Sequence, residues 1–267
     1  MMELNNGLAI LFVLVISILG WRVKSLTLLG AIMSFVVGIL IYIGTGFAGL
    51  FLLGAFFASS SLLSKYKREN KKEAEELLQK GDQRDAVQVL ANGGFPAVFA
   101  ILFFISQNEG FLYAFSVSIA AANSDTWASE IGTLSKQRPF MLPSLKRVER
   151  GTSGAVSLLG SSAALLGALF IAGLSFIMLQ KSFSHFLFVA LFGFAGNLLD
   201  TLMGGSIQVK YQCVTCGKIT ERPIHCGVKG KIAKGFAIFN NDMINALSIA
   251  AAAIISIIFY HFAFGLS

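Results

Sequence analysis

Residues 26–63 read LTLLGAIMSFVVGILIYIGTGFAGLFLLGAFFASSSLL and contain no charged side chain. A helix that crosses the hydrocarbon core of a bilayer needs about 20 mostly apolar residues. The stretch is long enough for two such helices, and we place them at 26–43 and 46–63. It therefore predicts a chain that is folded in a membrane rather than in water.

The rest of the chain repeats this pattern. Apolar residues make up 55% of the sequence and charged residues 13%, whereas soluble domains carry roughly 25% charged residues. This composition excludes an ordinary soluble enzyme, a disordered chain and a fibrous repeat. We predict an all-α polytopic bundle of about eight spans that forms a single transmembrane domain over residues 1–267. The other six spans are placed at 5–20, 94–107, 111–131, 154–180, 184–207 and 240–264.

The fourth and fifth spans, 94–107 and 111–131, are short or interrupted, so they are either broken helices or part of a buried layer. The charges give the orientation. All but one of the 21 lysines and arginines lie between spans one and two, three and four, five and six, or seven and eight, and only Lys181 lies in an alternate loop. Cytoplasmic loops carry such an excess. We therefore expect both termini outside, in the plasma (inner) membrane, and no nucleic-acid partner for the net charge of +7.

Three cytoplasmic loops follow from this topology. Residues 65–92 predict a helical hairpin that ends at a glycine pair suited to a sharp re-entry into the membrane. It is either a solvated connector or a lid whose Lys67, Arg68 and Arg84 meet an anionic substrate. Residues 132–153 predict a phosphate-binding loop.

The third loop, 208–235, holds all three cysteines, as Cys213-x2-Cys216 followed by His225-Cys226. These side chains offer the four ligands of a structural zinc site, and a disulfide is disfavoured in the cytoplasm. Incidental reduced thiols are the alternative.

Four carboxylates lie at the cytoplasmic ends of spans: Asp125, Glu130, Asp200 and Asp242. Ionisable residues within a membrane are candidate functional residues. Carboxylates beside amide and hydroxyl oxygens suit Mg²⁺ together with substrate phosphates. Helix-to-helix hydrogen bonding and an ion relay in a transporter are the alternatives. The accompanying polar side chains are Asn123, Ser129, Asn197, Asn241 and Asn245.

Span six is preceded by a basic segment and a Gly/Ser/Thr turn. Backbone N–H groups at a helix N-terminus bind phosphate, although the same turn is also an ordinary helix cap. The candidate phosphate-binding residues are Arg147, Arg150, Gly151, Thr152, Ser153 and Gly154. At the outer face, His185 and His261 have no nearby partner in the sequence, so we expect them at the membrane interface.

Four blocks of this sequence resemble the DUF92/TMEM19 membrane proteins. They are QVLANGG at 88–94, NSDTWASEIG at 123–132, VERGTSG at 148–154 and NDMIN at 241–245. The resemblance covers nearly the whole chain. The plant members are phytyl-phosphate kinases, and the family is remotely similar to CDP-diacylglycerol and CDP-archaeol synthases and to dolichol kinases, which use CTP at membrane Mg²⁺ sites.

The resemblance implies a prenyl-phosphate kinase that transfers phosphate from a nucleoside triphosphate, with CTP favoured, to an isoprenoid monophosphate. It implies Mg²⁺ at Asp125, Asp200 and Asp242, with Glu130 as a ligand or support. Asn123, Asn197 and Asn245 would orient these acids, and 147–154 would hold phosphate. A lipid-phosphate cytidylyltransferase and an ion-coupled transporter stay open, and so does a homodimer.

Overall fold

The computed structural model describes residues 2–67, 69, 83–142, 144 and 146–264. The chain folds into a bundle of apolar helices, which confirms the predicted membrane class. The helices are α1 (Met2–Arg22), α2 (Leu28–Lys65), α3 (Ala86–Ser106), α4 (Glu109–Gly132), α5 (Leu158–Met178), α6 (Phe183–Ser206) and α7 (Asn241–Phe264). In this described part, five helices are long and apolar enough to cross a membrane: α2, α3, α5, α6 and α7.

Helix α2 folds back on itself at Gly46. A straight helix of its 38 residues would be about 57 Å long, yet Lys65 Nζ lies 3.0 Å from the carbonyl oxygen of Val23, just before the start of α2. Gly46 has φ 65° and ψ −155°, a conformation that favours glycine. The element therefore supplies two helical segments, which separate where the sequence predicted a break between 43 and 46.

Helix α3 starts earlier than the predicted fourth span. Asp85 caps it, with its carboxylate accepting from the Gln88 backbone N–H and the Gln88 side chain accepting in return from the Asp85 backbone. The glycine pair lies inside this helix, where Gly93 packs against Val37 of α2. The predicted re-entry at 92–94 and the separate second hairpin helix are thus wrong, because the glycines allow close helix packing. Residues 70–82 of the predicted hairpin lie outside the described residues.

Helix α4 is the centre of the bundle. It contacts α2, α3, α5, α6 and α7, and every residue from Leu112 to Ser124 is buried. Small residues of α5 allow this closeness, since Ala164 and Ala168 are fully buried and Gly160 faces Gly132. The structure therefore shows α3 and α4 as continuous helices, with α4 as the buried layer that the sequence left open.

Short strands occupy the connections, which corrects the purely α-helical prediction. β1 (Phe140–Met141) pairs with β2 (Ala155–Val156). Between α6 and α7 lie β3 (Lys210–Gln212), β4 (Ile219–Thr220), β5 (Ile224–His225), β6 (Val228–Lys229) and β7 (Lys231–Lys234). They form a three-stranded sheet in the order β4-β3-β7 and a β5-β6 hairpin. Strands this short have no detectable period in the sequence.

The two ends of the bundle differ in charge. At one end, Lys181 forms a 2.8 Å ion pair with Glu109, Tyr42 donates to Asn6 near the start of α1, and Tyr260 near the end of α7 contacts Gly110. The cation-rich connections and the strands lie at the other end. The first and last helices therefore begin and end, respectively, opposite the strand-bearing end.

Candidate active site

A polar cavity of about 280 Å³ opens at the strand-bearing end of the bundle. The four predicted carboxylates line it, together with the loop before α5 and the start of α3. Its lining residues include Ser64, Arg84, Gln88, Asn92, Asp125, Thr126, Ser129, Glu130, Arg150, Gly151, Thr152, Ser153, Gly154, Ser157, Asn197, Asp200, Thr201, Glu221, Asn241, Asp242 and Asn245. Residues far apart in the chain thus meet at one polar surface.

Asp125 of α4 and Asp200 of α6 both line this cavity, and their carboxylates are near enough to interact electrostatically. Asn197 Nδ2 donates to Asp125 Oδ1 at 3.2 Å. Ser248 of α7 donates to Asp200 Oδ2 at 3.1 Å. With its amide oriented as its neighbours require, Asn245 also donates to Asp200 Oδ2 at 3.1 Å. Amide and hydroxyl donors therefore fix one oxygen of each carboxylate.

The other two carboxylates extend the acidic wall. Glu130, one turn beyond Asp125 on α4, accepts a 2.6 Å hydrogen bond from Ser64 at the end of α2. Asp242 lies in the first turn of α7 and is only 5% exposed. Three helices, α4, α6 and α7, thus each bring an aspartate to the cavity because their ends converge there.

The opposite wall is the glycine-rich turn 150–154. Gly151 and Gly154 have φ values of 81° and 80°, which L side chains rarely adopt. A Cβ at Gly154 would overlap the backbone of Gly205, where α6 ends. The turn does not open the helix directly as predicted, because β2 intervenes and Ser157 caps α5. The first turn of α5 still lines the cavity with Ser157 and Gly160.

Ser153 anchors the turn to the chain that follows α6. Its hydroxyl donates to Glu221 Oε1 and accepts from Gln208 Nε2 at 3.3 Å. Lys210 Nζ donates to the Ser153 carbonyl at 2.9 Å. Lys210 is 7% exposed, and burial lowers the pKa of its ammonium. The position of the turn thus depends on Gln208, Lys210 and Glu221, which lie in the segment between α6 and α7.

Two predicted site residues do not reach the cavity. Asn123 is fully buried; its amide donates to the Gly167 carbonyl at 2.8 Å and its oxygen accepts from Ser59, so it joins helices. Arg147 lies with its guanidinium 5.1 Å from the Phe140 ring centre, because a backbone bridge pairs it with Phe140. Arg150 lines the cavity instead.

Several residues of the site could not be assigned to it from the sequence. Gln88 and Asn92, spaced one turn apart at the start of α3, form a polar stripe that could have indicated them. Arg84 appeared only as a possible lid residue. Glu221 lies among so many loop charges that no pattern distinguishes it. Ser248 does not line the cavity but donates to Asp200 Oδ2; it follows Asp242 and Asn245 at helical spacing, which is its only signal.

The four candidate zinc ligands lie together away from this cavity. One ligand atom from each of Cys213, Cys216, His225 and Cys226 lies within 4.8 Å of all the others. Hydrogen bonding from the Cys216 backbone N–H lowers the pKa of the Cys213 thiol to about 6. The structure thus assembles the predicted cluster, and it is separate from the carboxylates.

His185 was expected at the membrane interface without a nearby partner, and this prediction is wrong. His185 is fully buried, and its Nε2 lies 2.7 Å from Ser175 Oγ. The ring also packs edge-on against Tyr113. Ser175 lies near the end of α5 and His185 near the start of α6. The packing of these two helices brings the side chains together, a contact that the linear sequence does not reveal.

The fold and the cavity define an integral membrane protein with a polar site at one end of its helix bundle. A family model described as integral membrane protein DUF92 matches residues 11–253, and the chain belongs to this family.

Individual relatives support this assignment. The chain is 32% identical to the uncharacterized membrane protein MJ0933 of Methanocaldococcus jannaschii, over 93% of this chain and 92% of the relative. It is 30% identical to Protein PGR of Arabidopsis thaliana, over 93% and 95%. It is 27% identical to the chloroplastic Protein VTE6 of Arabidopsis thaliana, over 90% and 67%. No solved structure matches the chain significantly.

Proposed function

We propose that the protein is a membrane prenyl-phosphate kinase. It would transfer the γ-phosphoryl group of a nucleoside triphosphate, with CTP favoured, to an isoprenoid monophosphate. One observation carries the proposal: the converging carboxylates and the glycine-rich turn line the same cavity at the cation-rich end of the bundle. Family membership supports the chemistry, since the sequence blocks that resemble the plant phytyl-phosphate kinases supply most of this cavity.

Mg²⁺ fits the donor set of the acidic wall. In the part of the chain that the structure describes, hydrogen bonds to Asp125 use Oδ1 and those to Asp200 use Oδ2, which keeps one oxygen of each for a cation. Asp242 completes the set, and repulsion among the carboxylates favours a cation between them. Bound there, Mg²⁺ would neutralise polyphosphate charge.

The protein side chains then bind and orient the two substrates. The turn 150–154 offers backbone N–H groups, and Arg150 offers a guanidinium that matches phosphate in geometry and charge. An oxygen of the prenyl monophosphate forms a bond to the γ-phosphorus. The bond from that phosphorus to the β,γ-bridging oxygen breaks, and the nucleoside diphosphate leaves with the electron pair. Such transfer needs positioning and charge neutralisation above all.

The location of the cavity suits a lipid substrate. It lies where α4, α6 and α7 end, so an isoprenoid tail could stay among the apolar helices while its phosphate reaches the polar wall. The surrounding connections carry most lysines and arginines, which supports a cytoplasmic position for this end by the positive-inside rule. Nucleotides are supplied on that side, and the basic surface would attract them.

The test uses the full-length protein purified in detergent with Mg²⁺, prenyl monophosphates of several chain lengths, and CTP or ATP labelled at the γ-phosphate. We expect label in a lipid diphosphate, with chelation of Mg²⁺ abolishing its formation. An Asp200→Asn variant serves as the control for a contaminating kinase.

The label also distinguishes the other functions. A cytidylyltransferase would release the γ-label as pyrophosphate. In a parallel reaction with CTP labelled at the α-phosphate, it would retain the label in the lipid. A transporter would leave every nucleotide intact. Either result would overturn the proposed kinase activity.

A further inference from the structure

The segment between α6 and α7 forms a small ribbon, 208–235, with almost no apolar core. Its apolar side chains are largely exposed, including Val214, Ile219, Ile224 and Ile232. Its strands are two to four residues long. Small units with so little apolar core are commonly stabilised by disulfides or a structural metal. The number of cysteines is odd, and the structure records all three as free.

The ribbon brings four ligands to one point in two turns. The first turn is Cys213–Cys216, closed by the Gly217 N–H donating to the Cys213 carbonyl at 2.9 Å. The second is the β5–β6 hairpin, which presents His225 and Cys226. Cys216 Sγ and Cys226 Sγ lie 3.5 Å and 3.3 Å from His225 Nδ1. Around a tetrahedral zinc, sulfur and nitrogen ligands are separated by roughly 3.5 Å.

The conformation of Cys226 also indicates a ligand. Cys226 and Gly227, the two central residues of the β5–β6 hairpin, have φ values of 53° and 73°. Such turns strongly favour Asn-Gly or Asp-Gly, and a cysteine there is strained. Strain of this kind is concentrated at ligand-binding positions. Here it points the thiol towards His225 and the other cysteines.

We propose that Cys213, Cys216, His225 and Cys226 bind one structural Zn²⁺, and that this ion folds the ribbon that holds the glycine-rich turn 150–154. All four ligands come from the protein, which leaves no position for a reacting water.

The ribbon reaches the turn through polar side chains, of which Lys210 and Glu221 are buried. Lys210 of β3 and Glu221, next to β4, bind Ser153, and Lys234 of β7 donates to the Gly205 carbonyl. Gly205 is the residue against which Gly154 packs. All three strands of the sheet therefore contribute to holding the turn. The role of that turn in phosphate binding rests on the proposed function, whereas the zinc site does not.

The first test is zinc content, measured by mass spectrometry on detergent-purified protein. We expect one zinc per chain in the wild type and in Thr215→Ser, a matched control between two ligands. We expect a large loss in Cys216→Ser. If that variant does not fold, the wild type alone decides: a mercurial should release one zinc as the three thiols react. A zinc-free wild type with three reactive thiols, or with a disulfide, would overturn the site.

The second test asks whether the ion holds the turn, with a readout that needs no activity. Trypsin cleavage of the wild-type protein is mapped before and after treatment with a zinc chelator. We expect new cuts in the ribbon at Lys218 and Lys229, and also at Arg147 and Arg150 beside the turn. Zinc removal that opens the ribbon while Arg150 stays protected would refute the coupling and leave the zinc site standing. A failed kinase assay would affect neither result.

Discussion

Arg147 and Arg150 lie three residues apart in the same basic segment, and the fold gives them different surroundings. Arg150 lines the polar cavity, whereas Arg147 lies over the ring of Phe140. The sequence makes them equivalent candidates for phosphate binding. The backbone bridge between Phe140 and Arg147 separates them, and a single bridge leaves no trace in the sequence pattern.

We therefore predict that Arg150→Ala lowers kcat/KM roughly 10- to 100-fold, because a charged hydrogen bond contributes about 1.5–3 kcal/mol. Arg147→Ala should stay close to the wild type. Steady-state kinetics of the two variants with a prenyl monophosphate checks this difference. Equal losses in both would mean that the turn binds phosphate differently.

Asp125 gives a second prediction at this scale. Asp125→Asn keeps the size of the side chain and removes its charge, so we expect kcat to fall by at least about 100-fold, in line with the loss of one preorganised electrostatic group. Glu109→Gln is the matched control, because it makes the same change on the same helix at the opposite end, beside Lys181. The Asp125→Asn variant should elute from a size-exclusion column at the same volume as the wild type, as expected of a folded protein. Near-normal turnover would remove Asp125 from the site.

The acidic half of the cavity could be predicted from the sequence because a carboxylate in an apolar run is conspicuous. Asp125, Asp200 and Asp242 were found for that reason. Glu221 was not, since a carboxylate in a charged loop is ordinary. Asn123 was misplaced because helical spacing gives a face but not what that face contacts, and here it contacts the Gly167 carbonyl.

At the scale of elements, the helices were predictable and the connections were not. Long apolar runs located the helical segments within a few residues, including the break near Gly46, except that α3 starts eight residues before the predicted span. Glycine pairs were ambiguous, because the same residue permits a turn or close packing. Gly93 serves packing against Val37, whereas Gly154 serves both, with its positive φ and its contact with Gly205.

Gly154→Ala should therefore disrupt the turn. The positive φ alone costs roughly 1–2 kcal/mol, and the methyl group must also displace the backbone of α6 at Gly205. We expect a lower thermal unfolding temperature in detergent and a loss of most activity. Gly54→Ala is the control, since a Cβ there meets nothing within 4 Å, and its stability should equal that of the wild type. A Gly154→Ala protein as stable and active as the wild type would show that the turn does not pack on α6.

At the scale of the whole molecule, the distribution of charges and the positions of the helix ends indicate the same orientation in the membrane. The cavity and the cation-rich connections share one end, and Lys181 lies at the other with the start of α1. We predict that the cavity faces the cytoplasm. Gln137 and Ser182 are both exposed and lie at opposite ends, so single cysteines at these positions report sidedness.

In intact cells, a membrane-impermeant maleimide should label Ser182→Cys and spare both Gln137→Cys and the wild type. The wild type, whose native cysteines lie at the cavity end, gives the background labelling before and after permeabilisation. Gln137→Cys should label once the membrane is permeabilised. Labelling of Gln137→Cys in intact cells would invert the topology and remove the argument for nucleotide access.

Synthesis from the N-terminus delivers α4 to the membrane before α5, α6 and α7 exist. The helix that occupies the centre of the finished bundle is not among those apolar enough to cross a membrane by composition, and it carries Asp125 and Glu130. Ionisable side chains on a membrane helix are costly unless they face protein or a water-filled cavity. The nascent chain must therefore retain α4 in a sheltered position until translation has supplied its later neighbours, and biogenesis is complete only after the last helix has emerged from the ribosome.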